Sequence, residues 1–392
     1  MKPLLLVLML LVAASAVAND FYVATTGNDA NPGTSASPWQ HIEHAISIAV
    51  AGDTVNVKTG TYNVSPLTIS HSGTSGAPVT FTSVDGRGTA KVVISNGDGI
   101  WGECWTVAAS WVVIDGFDIT EGSTTCGRAL LSNTSGSNVT FKNNRVHDLQ
   151  KGQTVSTCDG NAGGAGIESN PGASNLNLLA NEVFNIGNYN ASVSSCTYIH
   201  GIYSNSSGQI KNNLIFRNAG FGINSHASNQ DIVNNTIFNQ NAGGIFISGG
   251  TSGHHINNNV IYNVGIGNSG NQCGVNSQYS GDSSSNSAYT DNLIFQSSGT
   301  QANNWCVSSA FYTGYLNLNP LFVNYTGTQT GDYHLQSGSP AIQAGTTNLA
   351  PATDFAGVTR TAPIWIGIYQ SNTGTIGGTA PAAPTGLTAM VQ

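Results

Sequence analysis

One phrase recurs along this chain, and its spacing constrains the fold more than any other feature. It reads FKNNRVHD at Phe141, LANEVFN at Leu179, IKNNLIFRN at Ile210, IVNNTIFNQN at Ile232, INNNVIYN at Ile256 and TDNLIFQ at Thr290. The aligned asparagines, Asn144, Asn181, Asn213, Asn235, Asn259 and Asn292, are separated by 37, 32, 22, 24 and 33 residues. A minimum of 22 to 24 is too short for a pair of helices and too strand-like for a leucine-rich repeat, but it suits one turn of a parallel β-helix.

A second phrase alternates with the first: GIES at Gly166, GIYS at Gly201, GINS at Gly222, GIFIS at Gly244, GVNS at Gly274 and the weaker ALLS at Ala129. Read as short strands, these put Ile167, Ile202, Ile223, Ile245 and Val275 inward, stacked at about 4.8 Å per coil. The asparagines then form a turn ladder whose amides bond to one another and cap backbone groups, a structural role and not a catalytic one. The fold class is all-β: a right-handed, single-stranded parallel β-helix.

Composition agrees with many short turns in place of amphipathic helices, since charged residues are only 8% of the chain while glycines number 48. The first 18 residues read as a cleavable leader, with Lys2, an apolar run from Leu4 to Ala14 and a small-residue site at Ala16, Val17 and Ala18. The run is shorter than the roughly 20 residues of a spanning helix, so no transmembrane segment is expected. Net charge is −8, or −9 without Lys2, which disfavours nucleic acid and anionic membranes as partners. Six cysteines follow the leader without zinc spacing, and export implies disulfides.

The coils differ mainly in their insertions. From ladder asparagine to next inward residue the spacing is 23 (Asn144 to Ile167), 21 (Asn181 to Ile202), 10, 10 and 16 (Asn259 to Val275), so excess chain collects in loops entering the GI strands. Cys158 and Cys196 occupy the two longest loops and are expected to pair. Cys104 with Cys126, and Cys273 with Cys306, follow from proximity in sequence. Alternation puts Glu168, Tyr203, Asn224, Phe246 and Asn276 outward in one column beneath those loops, flanked by Arg128, His200 and His226. Of these, His200, Tyr203, Glu168 and Asn224 are the candidate catalytic residues. Arg128, Lys151, Asp159, His226, Phe246 and Asn276 are candidate substrate contacts. His254, His255 and His334 read as turn residues, and Lys142 and Lys211 as solvated charges.

The opening FYVATTGNDANPGTSASPWQHIEHAISIAVAGDTVNVKTGTYN resembles that of the secreted pectate-lyase-like family of right-handed β-helix proteins. Within it, residues 39–51 supply a cap helix with Ile42, Ala45, Ile46 and Ala49 on one face. NPLFVN, GDYHLQSGSPAIQAG, Asp354, Gly357 and Arg360 are similar to the closing region of bacterial surface β-helix proteins called choice-of-anchor Q, although WIGIYQ departs from that pattern. The expected organisation is one β-helix domain over 19–370, closing over 317–370, and a Pro/Gly/Ala-rich tail over 371–392 that looks like the first strand of a fibronectin type III module.

The resemblance implies a monomeric, extracytoplasmic protein whose partner is a polysaccharide. Calcium is a possible cofactor by that resemblance, yet Asp115, Asp118, Glu121, Asp148 and Asp159 form no aspartate cluster in sequence. The leading expectation is a lyase cleaving an acidic, uronate glycan by β-elimination. Uronate epimerisation shares its first step, and hydrolysis ranks lower because it needs two carboxylates where Glu168 stands alone in the column. The rival from another class is a non-catalytic glycan-binding or adhesin-type surface protein.

Overall fold

The computed structural model describes residues 18–95, 99–123, 125–150, 163–187, 198–265, 275–278, 287–297, 305–306 and 312–370. Among them, parallel strands stack into three sheets of eleven, nine and nine strands, wound as a right-handed β-helix. Each full coil contributes one strand to each sheet. The recurring asparagine phrase is two strands joined by a sharp corner, as in Thr140–Lys142 followed by Arg145–Leu149. The GI phrase supplies the third strand, as in Gly164–Ser169.

The two consecutive asparagines of the corner do different work. The first adopts a left-handed backbone, with φ of 56° at Asn143, 58° at Asn212, 57° at Asn234 and 57° at Asn258, which asparagine tolerates better than most residues. The second points inward and is fully buried in every coil from Asn144 to Asn292. Each ladder asparagine donates its backbone N–H to the Oδ1 of the next: Asn144 to Asn181 at 3.0 Å, then Asn181 to Asn213, Asn213 to Asn235, Asn235 to Asn259 and Asn259 to Asn292, all at 2.9 Å. Their Nδ2 groups donate to strand carbonyls, such as Ile210 O from Asn235 at 2.8 Å. Polar groups that would be costly in a dry interior are thereby satisfied in series.

Between corners the interior is apolar. Ile167, Ile202, Ile223 and Ile245 are register partners in successive coils and fully buried, as the spacing predicts. Each such side chain contributes roughly 1.5–3 kcal/mol of burial. At the N-terminal end the helix Ile42–Ile48 covers the first coil with Ile42 and Ala45, while Ile46 packs at the margin of the core. Among the described residues no helix is long and apolar enough to cross a membrane.

The outer face of the second sheet carries a stack of rings, His147 on Phe184, Phe184 on Phe216 and Phe216 on Phe238, with centroids 4.8, 4.8 and 4.9 Å apart. The segment from Phe322 to Ile368 lies along this flank, burying Tyr333, Leu335, Ile366 and Ile368 against it. The left-handed asparagines anchor that segment. Asn212 Nδ2 donates to Thr353 O (2.7 Å), Asn234 Nδ2 to Gly367 O (2.9 Å) and Asn258 Nδ2 to Thr346 O (2.8 Å). Arg360 Nη2 donates to Asn212 Oδ1 (2.9 Å) and to two carbonyls of the segment itself.

Several charged positions differ from expectation. Lys211 is buried and paired with Asp231 (3.5 Å), because that face of the coil is covered, whereas Lys142 is partly exposed beside Asp115 (3.2 Å). His255 and His334 lie in strands and not in turns. His334 stacks on Tyr369 at 3.6 Å, and His254 is buried against Thr251 Oγ1. Cys104 and Cys126 form a disulfide. Cys158, Cys196 and Cys273 lie outside the described residues, as do the pairings expected of them and the leader up to residue 17.

Candidate functional site

The outward column of the third sheet is continuous. Leu131, Glu168, Tyr203, Asn224, Phe246 and Asn276 are register partners through five consecutive strand pairings. Strict alternation would send His200 to the face opposite Tyr203. The glycine prevents this. A Cβ on Gly201 would lie 2.8 Å from Ile215 Cγ2 and 2.7 Å from Asn218 Nδ2, so Gly201 faces the interior next to the inward Ile202. Two successive inward positions turn His200 outward with Tyr203. The same glycine recurs at Gly166 and Gly222, each pressed against an interior residue, Val183 and Ile237 respectively.

From the N-terminal end, the face opens on Glu103, which is exposed and accepts a hydrogen bond from Thr106 Oγ1 (3.0 Å). Arg128 Nε then pairs with Glu168 Oε1 at 2.9 Å. Burial pushes the Glu168 carboxyl above the usual range, Arg128 opposes that push, and the like charge of Glu103 adds to it. Burial also raises the Tyr203 phenol, as does the neighbouring Glu168. At neutral pH this phenol keeps its proton.

His200 is buried, and both ring nitrogens are engaged. The Phe221 backbone N–H donates to Nδ1 (3.1 Å), and Nε2 lies 2.9 Å from the Asn224 amide. Since Nδ1 accepts, the neutral ring carries its proton on Nε2, and an Asn224 amide turned to present oxygen there satisfies both groups. Burial drives the His200 pKa down to about 3, with the nearby His226 adding to the effect. His226 is half-buried, its ring 4.9 Å from that of Tyr203, and burial lowers its pKa as well. Phe246 packs on Phe221 (5.0 Å), forming a small apolar cluster beside His200.

The structure thus brings together Glu168, His200, Tyr203, Asn224, Arg128, His226 and Phe246, and puts the Asn276 backbone in the same register. Lys151, Asp159 and the Ser194 loop lie outside the described residues. Sequence reading missed Glu103 and Phe221. Phe221 could have been found as the residue immediately before a GI glycine, where His200 also stands. Glu103 had no such signal, because its strand Gly99–Val107 lacks the phrase.

Calcium, implied by resemblance alone, finds no free carboxylate among Asp115, Asp118, Glu121 and Asp148, and Asp159 lies outside the described residues. Both oxygens of Asp118 are taken, by Arg145 (2.9 Å) and His147 (3.0 Å). Asp115 serves Lys142 and Asn143, Asp148 serves His147 and Asn185, and Glu121 accepts the backbone N–H groups of Cys126 and Gln150. Among the described residues no group of three or more histidine, cysteine or carboxylate side chains is arranged to hold a metal ion.

Residues 21–192 match a family described as Pel9A-like, right handed beta helix region. The match covers the cap and the first coils. The Bacillus subtilis (strain 168) protein YwoF, described as uncharacterized, is 42% identical over 74 residues, 19% of this chain and 15% of that one. Pectate lyase PEL9 of Emericella nidulans is 38% identical over 72 residues, 18% of either chain. The aligned stretches therefore span less than a fifth of these curated relatives. Among solved structures, pectate lyase Pel9A superposes with a TM-score of 0.58 at 18% identity, covering 91% of this chain and 97% of that one. A rhamnogalacturonan lyase superposes with a TM-score of 0.57 at 15% identity, covering 78% and 91%. These superpositions show a shared fold.

Proposed function

We propose that this protein is an extracytoplasmic polysaccharide lyase that cleaves a uronate-containing glycan by β-elimination on the outer face of the third sheet. The observation that carries the reading is the pair of neighbouring proton-handling groups, Tyr203 and His226, with ring centroids 4.9 Å apart on a face of aromatic and amide groups. The lyase descriptions of proteins with the same fold support the reaction class.

In this reading His226, kept uncharged by burial, takes the proton from C5 of the uronate. The electron pair forms the C4–C5 double bond, the C4–O bond breaks, and the leaving oxygen receives the Tyr203 proton. The Arg128–Glu168 pair lies on the two strands before that of Tyr203 and contacts the sugars on that side of the scissile bond. His200, buried and neutral, is a positioning residue that orients Asn224 and exchanges no proton.

The test is incubation with a panel of uronate polysaccharides, following absorbance of the unsaturated product. Tyr203→Phe and His226→Asn should each lower turnover by at least about 100-fold with folding unchanged. Normal turnover in both variants would sink the assignment. A second reading, a non-catalytic glycan-binding surface, is favoured by the engagement of Arg128 with Glu168 and of both His200 nitrogens. It predicts retention of a glycan with no unsaturated product from any member of the panel.

A further inference from the structure

The same face also carries information about the charge of its ligand. We propose that it takes a pyranose chain without free carboxylates, meaning a polyuronate whose carboxyls are esterified or a neutral glycan. This rests on the outer face of the third sheet being the glycan site, and narrows the substrate class for that site.

The charge inventory of the sheet is small. Its nine described strands, from Leu67–Ile69 to Trp305–Cys306, contain three Asp, Glu, Lys or Arg residues, Glu103, Arg128 and Glu168. Arg128, the single cation among them, is balanced by Glu168 at 2.9 Å, and Glu103 remains as an exposed negative charge. Beyond Glu168 the face offers Tyr203, Asn224, His226, Phe221 and Phe246. Both histidines beside them are uncharged near neutral pH because burial depresses their ionisation.

A free polyuronate carries one carboxylate per sugar. Among the described residues of this face those carboxylates would meet no unbalanced cation, would face Glu103, and would lose water without a partner. Like charges a few ångströms apart repel even at the dielectric constant of water, and more strongly beside a protein surface. Of the two carboxylates on these strands, Glu168 is already engaged by Arg128, which leaves Glu103 without a second carboxylate to share a bridging cation. Esterification removes the penalty while leaving a carbonyl that acidifies C5, so elimination then needs no cation at the carboxyl group. The aromatic groups are suited to the apolar faces of uncharged pyranoses.

The experiment is quantitative binding of the full chain to three immobilised polymers: a highly methyl-esterified polygalacturonate, the same polymer after saponification, and neutral xylan. At low ionic strength the esterified polymer should bind at least about tenfold more tightly than its saponified form, and added salt should narrow the gap by screening the repulsion. Tyr203→Ala should lose at least about tenfold on the bound polymer. Glu168→Gln removes the charge that balances Arg128, and should move the preference several-fold toward the saponified polymer.

Binding to xylan in place of the ester supports the proposal and assigns the neutral source, but removes the lyase reading, because a sugar without a carboxyl or ester group has no acidified C5. Equal or tighter binding of the saponified polymer, tightening of that binding by calcium, or an unchanged ratio in Glu168→Gln would overturn it. Retention of none of the three overturns both this proposal and the glycan-site reading beneath it. Binding of the ester without an unsaturated product removes the lyase reading and leaves this one standing.

Discussion

Replacing Asn235 by alanine isolates the contribution of the buried ladder. Its Oδ1 accepts from the Asn213 backbone N–H and from Asn213 Nδ2, both at 2.9 Å, and its Nδ2 donates to Ile210 O at 2.8 Å and Asn259 Oδ1 at 2.9 Å. Alanine deletes all four bonds and leaves two donors and two acceptors in a region closed to solvent. At about 1 kcal/mol net per bond the loss is about 4 kcal/mol, and less if a water enters the space. Asn143→Ala is the matched control. That residue sits at the left-handed corner with one side-chain bond, to Asp115 (2.8 Å), and Ala180 already occupies the equivalent corner of the next coil with φ of 55°. The control should lose about 1 kcal/mol. Urea unfolding followed by far-ultraviolet circular dichroism reads both, and the double variant Asn235→Ala/Asn259→Ala should cost less than the sum because the two share a bond. A loss at Asn235 no greater than that at Asn143 would refute the ladder as a stabilising element.

Three further outcomes are expected. Gly201→Ala puts a Cβ 2.7 Å from the Gly222 backbone oxygen, a contact that a flexible side chain cannot relieve, and should destabilise by about 1–3 kcal/mol in the same urea assay. His147 is disfavoured as a cation by burial, but hydrogen bonds to Asp118 and Asp148 outweigh this and raise its pKa, while Asp118 is lowered. The histidine contribution is therefore complete below its unfolded value of about 6.5 and fades as pH rises through the folded value, whereas that of Asp118 fades as pH falls below about 3.8. Thermal melting should thus show both limbs in wild type and lose the alkaline one in His147→Asn. The His200 imidazole should remain neutral in a nuclear magnetic resonance titration down to about pH 5, since burial holds its pKa near 3, and a normal titration near 6.5 would contradict its burial.

What the sequence disclosed depended on whether a signal repeated. The coil length, the isoleucine stack and the buried amides were legible because each recurs at one position per turn. The outward column followed from them by alternation alone. The strand before each asparagine pair was not read as a separate sheet, because the corner is made by asparagine in a left-handed conformation and no glycine or proline marks it. The orientation of His200 was hidden for a related reason: the inward glycine beside it breaks a period-two pattern without changing composition. Lys211 was read as solvated because its burial depends on neighbouring coils and the chain packed over them, and no local pattern records that. The ion-pair cluster of Asp118, Arg145 and Glu182 unites residues 27 and 37 positions apart, distances set by insertion lengths with no regular period.

The flank segment has a consequence for how the chain must fold. Coil contacts join residues separated by one turn, such as Asn213 and Asn235 at 22 positions, so coils can zip up progressively as they emerge during synthesis. The segment joins Asn212 to Thr353 across 141 positions and Asn234 to Gly367 across 133. Until the segment from Phe322 to Ile368 is available, Phe184, Phe216 and Phe238 face outward as an apolar stripe on a row of ordered strands, a surface prone to self-association. A ribosome-bound or truncated chain ending before residue 322 should therefore aggregate even with its coils complete, and the late segment works as an intramolecular guard on the strands made before it.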